Sequence, residues 1–159
     1  MHISPLTRVH QSRLALHGLL IFGVGLLAGV FYTFSLLGFI EIWPVLPRIE
    51  ATVPGDDRAW MRAHSGTLMN AIALLALAGI GSLIHLGDKG QRWLVLSALV
   101  MGWGNTLGYH TAALFGHRGL SFGEVWANNL TYACFFIAVV GVFTALGLAL
   151  RGVLNGRRA

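Results

Sequence analysis

The chain has 159 residues, of which 55% are hydrophobic and only 11% are charged, and its mean hydropathy is +0.69. A soluble domain has about 25% charged residues, so this composition excludes an ordinary soluble domain and predicts an integral membrane protein. The formal net charge is +5 at pH 7, but the basic residues lie at the termini and in the loops, as they do in membrane proteins. We therefore expect the partner to be a lipid bilayer and not a nucleic acid.

Four stretches of the chain are apolar and long enough to cross a bilayer, which takes about 20 residues at a rise of about 1.5 Å each. In chain order they cover residues 14–40, 61–86, 93–115 and 125–150. They predict an all-α fold, an integral membrane four-helix bundle that forms one domain over residues 1–159. The first stretch is too long for the apolar region of a signal peptide, so we expect it to remain in the mature protein.

The positions of the basic residues predict how the bundle is oriented. Of the 11 lysines and arginines, seven lie at the two termini or between the second and third spans, and four lie on the opposite side. This excess follows the positive-inside pattern. We therefore expect a multi-pass protein of a bacterial-type inner membrane with both termini in the cytoplasm.

Four polar side chains interrupt the apolar runs: His64 and Asn70 in the second span, and Asn105 and Tyr109 in the third. Counted at about 1.5 Å per residue, all four lie roughly 5 to 15 Å from the membrane surface opposite the termini. Asn105 and Tyr109 are also one helical turn apart and share a helix face. The fourth span begins with further polar residues at a similar depth, Asn128, Asn129 and Tyr132. The pattern predicts a polar pocket between the second, third and fourth spans.

Glycine pairs at the small-xxx-small spacing occur in two spans, Gly25 with Gly29 and Gly104 with Gly108. Such pairs let helix backbones approach closely, within a bundle or between protomers. A glycine-lined face can also leave space for a flat cofactor. The sequence leaves both interpretations open.

The residues that the spans lack limit the chemistry of the pocket. Every aspartate and glutamate falls in a loop or at a helix end, which excludes a buried carboxylate nucleophile or a pair of acid and base carboxylates. The single cysteine, Cys134, excludes disulfides, thiolate metal clusters and a covalently attached c-type haem. The remaining group is the imidazole of His64, which is either an axial ligand of haem iron or a hydrogen-bonded packing residue.

Three segments carry motifs whose order and spacing are specific. In chain order they are Val53-Pro54-Gly55 with Arg62-Ala63-His64-Ser65-Gly66 and Asn70, then Gly102-Trp103 with Asn105 and Tyr109, then Arg118-Gly119-Leu120-Ser121-Phe122-Gly123. They resemble the second-helix region, the third-helix motif and the following loop of the styrene oxide isomerase family. Weaker matches at His17-Gly18 and at Glu41-Ile42 with Pro44 extend the resemblance over most of the chain. The chain departs from the family in a shorter linker before the fourth span and in the amide pair Asn128 and Asn129.

The resemblance implies a small four-helix membrane enzyme that assembles as a homotrimer and holds haem b at its subunit boundaries. His64 matches the family's axial ligand, and Asn70, Asn105 and Tyr109 match its pocket residues, which implies that these three are catalytic. The implied reaction converts an aryl epoxide to an arylacetaldehyde without oxidant or reductant. Ferric iron would act as a Lewis acid on the epoxide oxygen, and a 1,2-hydride shift would complete the aldehyde.

Two other functions are compatible with the same residues. A b-type cytochrome that passes electrons would use His64 with a second axial histidine, for which His110 is the nearest candidate in depth. A membrane subunit without enzymatic activity would use its polar residues only to hold helices together.

Overall fold

The computed structural model describes residues 3–158 and is mostly helical. Its four long helices are α1 (Arg8–Leu37), α2 (Asp57–Gly79), α3 (Asp88–Phe115) and α4 (Trp126–Gly156). Four short strands accompany them, β1 (Ser4–Pro5), β2 (Phe39–Ile42), β3 (Leu46–Glu50) and β4 (His85–Leu86). The four predicted helices are therefore confirmed, and the strands are additions that the apolar pattern did not predict.

The helices pack in two pairs, α1 along α2 and α3 along α4, and α2 joins the pairs by packing on α3. A large apolar core, which includes the fully buried Leu14, Leu74 and Leu94, occupies the end of the bundle where the described chain begins and ends. A smaller cluster around Trp60 and Ala113 occupies the other end. Tyr109 packs against the smaller cluster, and Asn70 and Asn105 form a hydrogen bond between α2 and α3.

The first helix begins earlier and ends earlier than the predicted span 14–40. The side chain of Thr7 accepts a hydrogen bond from the backbone N–H of His10 and caps the helix start. Gly38 ends the helix in the left-handed conformation, with a φ of 75°, which glycine adopts without steric cost. The chain then enters an antiparallel hairpin in which β2 pairs with β3, so residues 39–40 are strand and not helix.

The second helix also departs from the predicted span, 61–86, because it ends at Gly79. Its start is capped by Asp56, whose carboxylate accepts from the N–H of Ala59 at 2.7 Å. After Gly79 the chain forms a short 3₁₀ turn, Gly81–Leu83, and then β4, which pairs with β1 near the beginning of the chain. The N–H of Leu6 donates to the carbonyl oxygens of Gly81 and Ile84. These tertiary hydrogen bonds replace the helical ones that the hydropathy pattern predicted.

The last two helices are longer than their predicted spans, 93–115 and 125–150. Helix α3 begins at Asp88 and includes Lys89 and Arg92, while α4 includes Arg151 and continues to Gly156. An apolar window ends where charges begin, but a helix can continue past the apolar region, so hydropathy underestimates both helices. The predicted ends at Phe115 and near Trp126 agree with the structure.

Helices α1 and α4 are each long and apolar enough to cross a membrane, at 30 and 31 residues with peak mean hydropathies of 2.2 and 2.5. Much of their apolar surface is not covered by the bundle. The large apolar side chains exposed on these two helices include Leu16, Leu19, Leu26, Leu27, Phe136, Val140, Phe143 and Leu150.

Candidate functional site

A cavity of about 500 Å³ lies between α2, α3, α4 and the loop that follows α3. Its lining is mainly apolar with a few polar groups, as is typical of small-molecule sites. The side chains that define it are Arg62, Asn105, Tyr109, Arg118, Leu120 and Phe135. The cavity therefore lies between the three helices that the sequence predicts to enclose a pocket.

Tyr109 projects from α3 between α2 and α4. Its ring packs against Gly66, where a Cβ atom would overlap the ring, and meets the ring of Phe135 edge to face with the centroids 5.1 Å apart. Its hydroxyl makes no hydrogen bond with another described residue. The ring is thus held on two sides while the hydroxyl is free to bind a ligand.

Asn70 and Asn105 form a hydrogen-bonded pair between α2 and α3. The amide of Asn105 donates to Oδ1 of Asn70 at 3.1 Å, and the amide of Asn70 donates to the carbonyl oxygen of Gly66 at 2.8 Å. Asn70 is only 8% exposed and is not in the cavity lining, whereas Asn105 is. Asn70 therefore fixes the orientation of Asn105, and the oxygen of Asn105 remains available to the cavity.

His64 projects from α2 toward α1. Its Nδ1 lies 2.8 Å from the carbonyl oxygen of Gly25, so the ring donates its Nδ1–H there and Nε2 carries the free lone pair. A Cβ atom on Gly29 would lie 2.7 Å from the same Nδ1. Gly29 thus leaves room for the imidazole and Gly25 supplies its hydrogen-bond acceptor. The second glycine pair, Gly104 and Gly108, packs α3 against α4.

His64 does not line the cavity. It faces α1, whereas Gly66, two residues later and about 200° further around α2, faces Tyr109. Within one chain, the imidazole of His64 and the cavity therefore lie on different faces of α2. This separation of the imidazole from the cavity follows from the helical periodicity of α2.

His110 does not pair with His64 in this chain. Its Nδ1 lies 2.7 Å from the carbonyl oxygen of Thr106 in its own helix, and its ring contacts the edge of Trp60 with the centroids 6.3 Å apart. Trp60 in turn stacks on Phe31 of α1. The arrangement gives no support to a bis-histidine haem ligand set within one chain.

Two lining residues, Arg62 and Arg118, were not predicted as site residues, because their charges were interpreted only as an indication of membrane orientation. Both belong to the motif segments, which is the signal that could have found them. The described residues contain one salt bridge, Arg48 with Glu50 in the hairpin, so neither cavity arginine has a carboxylate partner there. The cavity therefore has an uncompensated positive edge.

The amide pair at the start of α4 holds the loop that carries Arg118. Asn128 accepts from the N–H of Gly119 at 3.1 Å and donates to the carbonyl oxygen of Ser121 at 2.7 Å. Asn129 bonds both backbone groups of Gly123 at 2.9 Å. Gly119 has a φ of 60°, which favours glycine. These two asparagines therefore position the cavity loop and are not cavity residues themselves.

No cluster of three or more His, Cys, Asp or Glu residues that could hold a free metal ion occurs among residues 3–158. The metal ligand available at His64 is a single imidazole, which is held in place by the hydrogen bond from its Nδ1. Metal-bound histidines commonly donate the other ring N–H to a backbone carbonyl in this way. One such histidine is sufficient for a haem, whose porphyrin supplies four further ligands.

The chain matches the family model of styrene oxide isomerase over residues 10–154, a range that contains His64, Asn70, Asn105 and Tyr109. It is 34% identical over 113 residues to the styrene-oxide isomerase of Pseudomonas fluorescens. That alignment covers 71% of this chain and 66% of the relative, which is just under two thirds of the relative's length.

Proposed function

Because the chain belongs to the styrene oxide isomerase family, a family of epoxide-to-aldehyde isomerases, we propose that it converts aryl epoxides to arylacetaldehydes. The proposed enzyme is embedded in a cell membrane, uses haem b and works as a homotrimer. The observation that carries the proposal is the pair of features on α2: a fixed imidazole on one face, and on the other a largely apolar cavity with free polar groups.

Membrane embedding is supported by the surface of the bundle. Helices α1 and α4 have the length and hydropathy of membrane spans, and their exposed leucines and phenylalanines would be costly to leave in water. Because four helices cross the bundle in succession, the described chain begins and ends on the same side. By the positive-inside pattern this side is the cytoplasm, and the cavity lies in the half of the membrane away from it.

Haem b fits the donor set at His64. The backbone carbonyl of Gly25 fixes the tautomer that leaves Nε2 free to bind iron, and Gly29 leaves room for the ring. Arg62 and Arg118 have no carboxylate partner among the described residues and are the cations available to haem propionates. In the ferric state the bound group would supply a Lewis acid for the epoxide oxygen.

The cavity residues would orient the epoxide and protect it from water. The hydroxyl of Tyr109 can donate a hydrogen bond to the epoxide oxygen, and Asn105 is held in place by Asn70 to make a second polar contact. The ring of Phe135 and the side chain of Leu120 give an apolar surface for the aryl group. Excluding water matters because attack by water on the opened ring would give a diol instead of an aldehyde.

The reaction needs no residue that accepts a proton permanently. The benzylic C–O bond opens, the aryl group stabilises the positive charge on the benzylic carbon, and a hydride moves to that carbon from its neighbour. The neighbour becomes the aldehyde carbon, so atoms and electrons balance without oxidant or reductant. This agrees with a cavity whose described lining contains no carboxylate.

An oligomer is supported by the separation of His64 from the cavity, and the homotrimer is the assembly that the family resemblance implies. In one chain the two lie on opposite faces of α2, and a four-helix bundle of this length has little interior space for a porphyrin. Contact between two copies can bring the His64 face of one onto the cavity of the next. Haem would then lie at the subunit boundary, with the ligand and the pocket supplied by different copies.

The proposal is tested by turnover of styrene oxide by the purified haem-loaded protein, with oxygen and reductants removed. Phenylacetaldehyde should form with the ferric protein, and reduction to the ferrous state should suppress its formation because ferrous iron carries less charge and is the weaker Lewis acid. An obligatory requirement for an electron donor would contradict the isomerase. A protein purified without any haem absorption would contradict the cofactor assignment.

A further inference from the structure

A second cavity lies at the opposite end of the bundle, where α3 begins and α4 ends. Its volume is about 520 Å³ and its lining includes Lys89 from α3 and Arg151 from α4. Neither basic side chain has a carboxylate partner among residues 3–158, since the one salt bridge there is Arg48 with Glu50. The exposed carboxylate of Asp88 adjoins Lys89 in sequence but does not belong to the lining. The cavity is therefore suited to an anion.

The backbone of α3 adds to this preference for an anion. The helix starts after Gly87, whose position has no side-chain capping hydrogen bond, so N–H groups of the first turn are unpaired. Gly87 and Gly90 both line the cavity. Unpaired N–H groups at a helix start favour phosphate oxygens, and here they accompany two unpaired cationic side chains.

An apolar groove of about 240 Å³ continues from this cavity along the contact of α3 with α4. The two share Trp93 and Thr144 in their linings, so they adjoin each other. The groove is lined by Leu96, Val100 and Val140 among others. From Trp93 to Val100 it extends about 10 Å along α3 at the helical rise, and its direction is toward the middle of the proposed membrane.

We propose that the cavity and the groove together bind one anionic phospholipid. Its phosphate lies between Lys89 and Arg151, and one acyl chain lies in the groove between α3 and α4. Trp93, which is 51% exposed at the junction, lies at the depth where indole rings favour the interface between headgroups and acyl chains. A free phosphate ion would use only the basic cavity, whereas the lipid also fills the groove. The inference rests on the proposed membrane location but not on the isomerase chemistry.

The test uses the purified protein in detergent, to which phosphatidylglycerol, phosphatidylcholine or inorganic phosphate is added. Phosphatidylglycerol should raise the melting temperature, and native mass spectrometry should detect it bound to the protein. Phosphatidylcholine and inorganic phosphate should have little effect. An equal rise of the melting temperature with inorganic phosphate would overturn the proposed lipid site in favour of a phosphate site. An equal rise with phosphatidylcholine would overturn the proposal that the site recognises an anionic headgroup.

Three variants assign the effect to the site. Lys89→Gln combined with Arg151→Gln should lower retention of phosphatidylglycerol about tenfold or more, because both basic contacts near the headgroup are lost. Val140→Trp keeps these charges and fills the groove, so it should also lower retention. Arg92→Gln is the matched control, since it removes an exposed cation from the same helix end but outside the lining, and it should retain the lipid.

Turnover of styrene oxide is measured on the same samples. Loss of lipid with retained turnover supports the lipid site, and full retention of lipid by the double variant overturns it whatever the turnover. A wild-type protein that binds the lipid but never isomerises an epoxide would contradict the proposed function alone. The two proposals can therefore fail separately.

Discussion

The imidazole of His64 is held by one hydrogen bond, from its Nδ1 to the carbonyl oxygen of Gly25 at 2.8 Å. We expect His64→Ala to remove haem from the purified protein, because the substitution removes the imidazole whose Nε2 is free to bind iron. The measurement is haem content per chain together with the Soret spectrum. Normal occupancy with an unchanged spectrum would contradict the assignment, whereas His85→Ala should retain haem.

The glycine beside His64 allows the same assignment to be tested without removing the ligand. A Cβ atom in Gly29→Ala would lie 2.7 Å from Nδ1 of the ring, so the imidazole must move and haem affinity should fall. Gly23→Ala is the matched control on the same helix, because nothing lies within 4 Å of its added Cβ. Equal haem content in the two variants would show that the ring position is not critical.

Tyr109 and Asn70 are expected to affect turnover and not haem content. Tyr109→Phe removes the free hydroxyl, and Asn70→Ala removes the partner that orients Asn105. Each should lower turnover of an aryl epoxide about 10 to 1000 fold, the range for losing a positioning or polarising hydrogen bond of roughly 1.4 to 4 kcal/mol. Wild-type rates in both variants would place the substrate elsewhere.

At the scale of helices, α2 decides how the site is divided. It presents His64 to α1 and Gly66 to Tyr109 of α3, so a complete site would need two copies of the chain. Mixed oligomers test whether the site is shared between copies. One copy carries His64→Ala and the other carries Tyr109→Phe, and a different tag on each allows complexes that contain both to be isolated. Activity should return at boundaries where the intact His64 of one copy meets the intact pocket of the other.

Complexes in which both copies carry His64→Ala serve as the control and should remain inactive. If mixed oligomers also remain inactive, the ligand and the pocket act within one chain and the shared site is wrong. A monomer that holds haem and has full activity would lead to the same conclusion. The expected assembly has about three times the chain mass of 17.1 kDa.

The helices themselves could be predicted from hydropathy, but their ends could not. The end of α1 is determined locally, by a glycine in the left-handed conformation at Gly38. The end of α2 is determined by a tertiary contact, because the backbone of residues 81–86 pairs with the segment that contains Ser4 and Leu6. A window average detects neither effect, since it counts only apolar residues.

The site could be predicted only in part, because a sequence shows local spacing but not tertiary contacts. The spacing of Asn105 and Tyr109 by one helical turn is sufficient to place both on one face of α3, and both line the cavity. The direction of His64 depends on which helix packs on each face of α2, which one sequence does not specify. Arg118 enters the cavity from a loop, and its position depends on the hydrogen bonds of Asn128.

At the scale of the whole molecule, the proposed reaction depends on three features: an apolar bundle surface, a fixed imidazole and a cavity without carboxylates in its described lining. In the proposed reaction, the cavity residues would orient the epoxide and exclude water, and the substrate itself would supply the migrating hydride. This reaction would need neither an acid–base pair nor an electron partner. This separates the proposed isomerase from a b-type cytochrome that has the same composition and the same number of helices.

The most direct test of this central claim follows the hydrogen that migrates. Styrene oxide that carries deuterium on its CH₂ carbon is incubated with the ferric haem-loaded protein without oxygen or reductant, and the phenylacetaldehyde is analysed by mass spectrometry. The account predicts that both deuterium atoms remain in the product, one on the aldehyde carbon and one on the adjacent carbon, because the shift is intramolecular. Wash-out of deuterium beyond the exchange of labelled phenylacetaldehyde in the same buffer, or product formation only when an electron donor is added, would contradict an intramolecular shift.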